Sequence, residues 1–326
     1  MTRTVQDPPL DAQAERLQPI QDVPLWTESF HGSGYDPNNR LGVFVHVARA
    51  QFDPELWDET CVIYLPDGRF AVHRGFAYGD RPEGPAANAV TYVYRKPFEE
   101  WDLRFRGSVR VVTAKELAAN TLADGVHVKA ELDLTLRAIG PAFGIGGMRQ
   151  EFWAHGHYEQ HVGLRGMVTV DGTLFDFDGT GMRDHSVGPR DINDLELHSW
   201  CHGEFPSGRV FMAMDVTSAE GTCLRYAVVG NRDGLVEATV LSPGASLLAS
   251  AAQSQDPYTL ELEGPEGPTT IRAEILQSLP LSMCGTNDWV PGTRTDGHHL
   301  MYESKTRFEW DGEIGYGLTE RSAPVR

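Results

Sequence analysis

The segment GVHVKAELDLTLRA, residues 125–138, alternates along its whole length. Val126, Val128, Ala130, Leu132, Leu134 and Leu136 share one face, while His127, Lys129, Glu131, Asp133 and Thr135 share the other. This period of two is the pattern of a half-buried β-strand. Comparable runs recur along the chain, among them RLGVFVHVARA, TCVIYL, RGMVTV, RVFMAMDV, CLRYAVVG and YTLELEG. Asp67-Gly68, Asp171-Gly172, Asp233-Gly234 and Asp311-Gly312 supply the chemistry of tight hairpins between several of them.

Helical signal is confined to the short stretches TAKELAAN and LLASAAQSQ. About eighteen to twenty strands are too many for one small barrel, so the sequence predicts an all-β chain of two antiparallel β-domains with few short helices. The Gly-rich segment IGPAFGIGGMRQ, residues 139–150, is a natural boundary because glycine frees the backbone and little apolar pattern crosses it. The expected division is an N-terminal extension over 1–20, a first β-domain over 21–145 and a second over 146–326. A ligand pocket is expected where the two meet.

The chain of 326 residues carries 28 basic against 46 acidic side chains, a formal charge of −18. So anionic a surface repels nucleic acid and anionic membrane alike, which leaves a small molecule as the expected partner. Cys61, Cys201, Cys223 and Cys284 form no C-x-x-C pair and read as free thiols of a reducing compartment. The N-terminus lacks an apolar signal core and no run reaches the ~18 apolar residues of a membrane span. A cytoplasmic protein without membrane insertion is expected, with a homodimer among its partners.

Two stretches concentrate chemistry. In EFWAHGHYEQHVG, residues 151–163, a strand would put His155, His157, Glu159 and His161 on one face and Tyr158 on the other. Three imidazoles and a carboxylate could ligate a transition metal, or the histidines could simply hydrogen-bond in a polar interior. In GTGMRDHSVGPRD, residues 179–191, Arg183, Asp184, His185, Arg190 and Asp191 sit among glycines that let backbone approach a ligand closely. Burial would raise the Asp184 pKa and make it a general acid, whereas a neighbouring Arg would lower it; residue types alone also fit an Arg–Asp network closing a barrel end. No dinucleotide fingerprint and no hydrolase nucleophile motif occurs, so no cofactor is expected.

The string HYEQHVGLRGMVTVDGTLFDFDGTGMRDHSVGPRD resembles the second-domain signature of a bacterial group related to carotenoid 1,2-hydratases and AttH-type proteins. The opening LWTESFHGSGYDPNNRLGVFVHV and the ending RFEWDGEIGYGLTERS are similar to that group as well, so the likeness spans most of the chain. It implies two lipocalin-like β-barrels packed side by side around an apolar ligand, and it assigns the acid of the Asp-His-Ser-x-Gly block to Asp184. This sequence departs from the pattern at Val187, where an aromatic is usual.

The combined expectation is a cofactor-independent lyase or isomerase, such as a hydratase, dehydratase or cyclase, acting on a terpenoid, steroid-like or aromatic molecule. Asp184, His185, Glu159 and His157 would carry the chemistry, and Arg183, Tyr158, Trp153, Trp200 and Arg190 would line the substrate. The rivals are a non-catalytic carrier of an apolar ligand and a metal enzyme built on His155, His157, Glu159 and His161.

Overall fold

The computed structural model describes residues 11–79, 84–119, 122–144, 156–244, 255–285, 288–293 and 299–324. Among them nineteen strands dominate, as the alternation predicts. The first ten are β1 (Trp26–Asp36), β2 (Leu41–Ala50), β3 (Asp53–Tyr64), β4 (Phe70–Tyr78), β5 (Val90–Lys96), β6 (Glu100–Val112), β7 (Val126–Ala138), β8 (Phe143–Gly144), β9 (Gly156–Val170) and β10 (Thr173–Pro189). The remaining nine are β11 (Leu195–Glu204), β12 (Val210–Ser218), β13 (Cys223–Asn231), β14 (Gly234–Ser242), β15 (Tyr258–Gly264), β16 (Gly267–Gly285), β17 (Asp288–Pro291), β18 (His299–Trp310) and β19 (Glu313–Pro324).

Strands β10, β1, β2, β3, β4, β6, β7 and β9 pair in that order, and the β9–β10 hairpin closes them into an antiparallel barrel. Strands β11 to β16, then β18 and β19, form a second closed ring through the β11–β19 and β15–β16 ladders. The hairpin turns follow the expected chemistry: Asp171 and Gly172 both take positive φ, as do Asp311 and Gly312, which is the twist that matches paired strands. TAKELAAN folds as α1 (Ala114–Ala118), opened by a capping box between Thr113 and Glu116. LLASAAQSQ lies outside the described residues apart from its last residue. No helix among the described residues is long and apolar enough to cross a membrane.

The expected boundary at 139–150 is displaced. β9 pairs with β7 and β10 with β1, so both strands belong to the first barrel, and the chain changes sheets only between Pro189 and Leu195. The Asp-His-Ser-x-Gly block therefore lies in the first barrel. Gly181 shows how tightly β10 seats there: a Cβ on it would stand 1.9 Å from the Ser33 carbonyl oxygen, so any larger residue would force the two strands apart.

Alternation sorts the side chains into three layers. Phe30, Val45, Val47, Trp101 and Leu132 fill the first barrel, and Phe211, Ala227, Leu262 and Phe308 fill the second. Phe44, Val62, Tyr64 and Met182 on the outside of the first barrel pack against Trp200, Met212, Leu281 and Leu318 on the outside of the second. The interface between barrels is thus an apolar layer of its own, and polar side chains within it need partners or a ligand.

Candidate functional site

The sheet register lays one polar row across the first barrel's outer face. His46 on β2 lies opposite His31 on β1, His31 opposite Asp184 on β10, and Asp184 opposite Glu159 on β9. One pleat away, Ser29 faces Ser186 and Ser186 faces His157. Because strand side chains alternate, both rows point the same way, toward the second barrel and not into the first.

There they meet a cleft of about 60 Å³ between the barrels. The first barrel contributes His31, His46, His157, Glu159, Asp184 and Arg190. From the second come His198 and Trp200 on β11, Met214 on β12, Met283 on β16, Trp289 on β17 and Glu320 on β19. The His46 ring stacks on Trp289 with centroids 4.1 Å apart, so the cleft joins an aromatic wall to a charged one.

The charged wall is organised in pairs. His31 Nδ1 stands 3.4 Å from an Asp184 carboxylate oxygen. His157 bridges Ser186 Oγ and Glu159, its Nε2 lying 3.1 Å from Oε1. Across the cleft, His198 Nδ1 is 2.8 Å from Glu320 Oε1. Burial pushes the Asp184 carboxyl up, but the His31 hydrogen bond and the charges of His31, His157 and Arg190 outweigh it and hold the group at about 2. Asp184 is therefore a carboxylate at neutral pH, which reverses the expectation of a buried acid with a raised pKa. Burial and the His31 charge drive His46 down to about 3, so its ring is neutral, while burial lowers Arg190 to about 10 and leaves it charged.

Asp184, Glu159, His157, Arg190 and Trp200 meet at this cleft. Arg183, His185 and Tyr158 do not, because the residues flanking Asp184 and Glu159 on their strands point into the first barrel. Arg183 donates to Glu15 Oε1 at 2.5 Å and to Gln160, and Tyr158 donates to the same Glu15 oxygen at 2.8 Å. The two nitrogens of His185 are held by Glu28 at 2.9 Å and by the Ala14 carbonyl at 2.8 Å. These groups clasp the N-terminal segment to the barrel, and His185 cannot exchange a proton with Asp184. Trp153 and His155 lie outside the described residues.

The expected four-residue metal set divides as well. His157 and Glu159 pair in the cleft, whereas His161 Nδ1 is 2.6 Å from Glu204 Oε1, an oxygen that His202 Nδ1 also approaches at 2.9 Å. His161, His202 and Glu204 are the one grouping among the described residues close enough to share a metal ion. Both imidazoles flank a single carboxylate oxygen, and their hydrogen bonds and charge hold that carboxyl at about 2 against the pull of burial, while His161 Nε2, His202 Nε2 and Glu204 Oε2 are buried without a hydrogen-bond partner. Lys305, which burial lowers to about 7, interacts with both His202 and Glu204.

Sequence reasoning missed His31, Ser29, Ser186, His198, Trp289 and Glu320. A usable signal existed for His31 and His198, which stand at strand positions whose parity sets them against the inward-facing Phe30 and Cys201.

A family model described as a domain of unknown function, DUF7064, matches residues 11–325. No curated protein matches the chain. Among solved structures, a candidate AttH from Nitrosomonas europaea superposes with a TM-score of 0.54 at 15% identity, covering 92% of this chain and 93% of that one. CghA superposes at 0.53 with 14% identity, covering 93% and 89%, and CghA with Sch210972 at 0.53 with 13% identity and the same coverage. At these identities the likeness establishes a shared fold.

Proposed function

Since the chain belongs to the DUF7064 family, whose function is unknown, we propose from its own geometry that it is an acid–base enzyme of the lyase or isomerase type. Its site is the cleft between the barrels, and its substrate is a small, largely apolar molecule. The observation that carries this reading is Asp184: a half-buried carboxylate kept ionised by His31 and aimed into a cleft whose opposite wall bears Trp200 and Trp289. Structural ion pairs bury charge too, but they close on themselves. Here His31, His157, Glu159 and Asp184 all border open volume.

A carboxylate in that position is a base. It would take a proton from a ligand C–H or O–H, and His31 at 3.4 Å would stabilise the charge as it moves. The alkene protonation of carotenoid 1,2-hydratases, implied by the sequence resemblance, would instead need Asp184 neutral, so isomerisation or elimination is the better fit. Trp200, Trp289, Met214 and Met283 favour an apolar ligand face, and at about 60 Å³ the cleft takes the reacting end of a terpenoid, steroid-like or aromatic molecule and not its whole body. That the similar fold of CghA has been solved with Sch210972 is in keeping with a ligand-holding double barrel. The carrier alternative lacks this support, because the first barrel's interior is filled by its own apolar side chains.

The test is a screen of apolar small molecules by thermal shift, followed by product analysis for each binder. Wild type should convert at least one binder, and Asp184→Asn should bind it without converting it. Equal conversion by Asp184→Asn would refute the assignment.

A further inference from the structure

We infer that Glu303 and Glu320 hold one proton between them, a proton store on the second barrel's wall that communicates with the cleft opposite Asp184. The inference rests on the cleft being the working site. Glu303 on β18 and Glu320 on β19 are direct cross-strand partners, and 0% and 7% of their surfaces are exposed. Two carboxylates so placed do not both ionise at rest, because each raises the cost of charging the other and neither has bulk water to spread the charge.

The neighbours decide which of the two keeps the proton. Glu320 has His198 at 2.8 Å and feels the charge of His31, so it is the carboxylate. No donor among the described residues reaches either carboxyl oxygen of Glu303, and the interaction with Glu320 favours Glu303 as the protonated partner that donates to the Glu320 carboxylate. The ammonium of Lys305, two residues along, is committed to the Val43 carbonyl at 2.8 Å. Asp184 adds a further negative charge nearby. Burial and these like charges raise the Glu303 carboxyl well above the ordinary range, while Arg190 and Lys305, the latter lowered by burial to about 7, are the basic groups of the surrounding wall.

Glu320 lines the cleft and Glu303 sits behind it. The chemistry then balances across the gap: Asp184 accepts a proton from one position of a bound molecule, and the Glu303–Glu320 pair releases one to another position. The ligand leaves as an isomer, or splits with its leaving group protonated. Asp184 is left neutral and the carboxylate pair doubly anionic until solvent resets both.

Infrared spectroscopy of the intact protein tests the store without a substrate. Near neutral pH, wild type should show the C=O stretch of a neutral carboxylic acid. The band should vanish in Glu303→Gln, and in Glu320→Gln its titration should shift toward the ordinary carboxyl range. Mixing into D₂O should shift the wild-type band far faster than the protein unfolds, because the cleft brings solvent to Glu320. No such band in wild type, a band that survives Glu303→Gln, a titration unmoved by Glu320→Gln, or exchange only on unfolding would each overturn the inference. Failure to find a converted ligand would count against the enzymatic reading while leaving this readout intact.

Discussion

His31 and Asp184 meet across the β1–β10 ladder, imidazole nitrogen to carboxylate oxygen at 3.4 Å, at the floor of a cleft that neither barrel could form alone. The proposed base depends on Asp184 staying ionised beside His31, and the energetics of that carboxylate are measurable.

The first consequence concerns acid stability. The Asp184 carboxyl is depressed from 3.8 to about 2 in the fold. A depressed carboxylate adds stability above its unfolded value, and that stability is lost as pH falls through the folded one. Asp184→Asn should therefore cost on the order of 2 kcal/mol near neutral pH. The deficit should shrink as pH drops from about 4 toward 2, as read by urea unfolding across that range.

His46 should behave in the same direction for the opposite reason. Its ring is buried and neutral with its pKa lowered from 6.5 to about 3, so the unfolded chain takes up a proton that the fold refuses. Stability contributed by this site is complete above about 6.5 and falls by about 1.4 kcal/mol per pH unit below it. His46→Gln should flatten that slope between pH 6.5 and 3 while leaving the slope due to Asp184 in place.

A third expectation concerns the clasp at the first barrel. Glu15 Oε1 accepts from Arg183 and Tyr158 while all three are buried. Glu15→Gln would strand the Arg183 charge and should cost about 3–5 kcal/mol. Combining it with Arg183→Met should recover much of that loss, giving a clear coupling in a double-mutant cycle of unfolding free energies. Additive losses would mean that the two side chains do not act as a unit.

These expectations also show how far the sequence could be read. The alternation of 125–138 becomes β7, and Asp171-Gly172 becomes the turn of the β9–β10 hairpin, because both signals are local. The barrel boundary was not legible, since the pairing of β10 with β1 joins residues more than 140 positions apart and nothing short-range announces it. The same gap explains the site. Parity placed His157, Glu159 and His161 correctly on one face, and it also sets Arg183 and His185 opposite Asp184. It could not say that the face of Asp184 turns to a second barrel rather than to an interior. His31 lies 153 residues before Asp184 by number, and only the sheet register brings them together.

The aromatic wall yields a fourth expectation. Trp289 stacks on His46 and borders the cleft, so an apolar ligand seated there would bury its ring face. Trp289→Ala should weaken binding of such a ligand by roughly 10- to 100-fold, the equivalent of one large apolar side chain. Calorimetric titration would measure it. Unchanged affinity would place the ligand elsewhere.

The most direct measurement is a crystal structure with a ligand recovered from the thermal-shift screen. The account predicts the ligand between the barrels, with a polar atom within hydrogen-bond reach of the Asp184 carboxylate and its apolar body against Trp200 and Trp289. A ligand inside either barrel, or on an outer surface with the His31–Asp184 pair untouched, would contradict it.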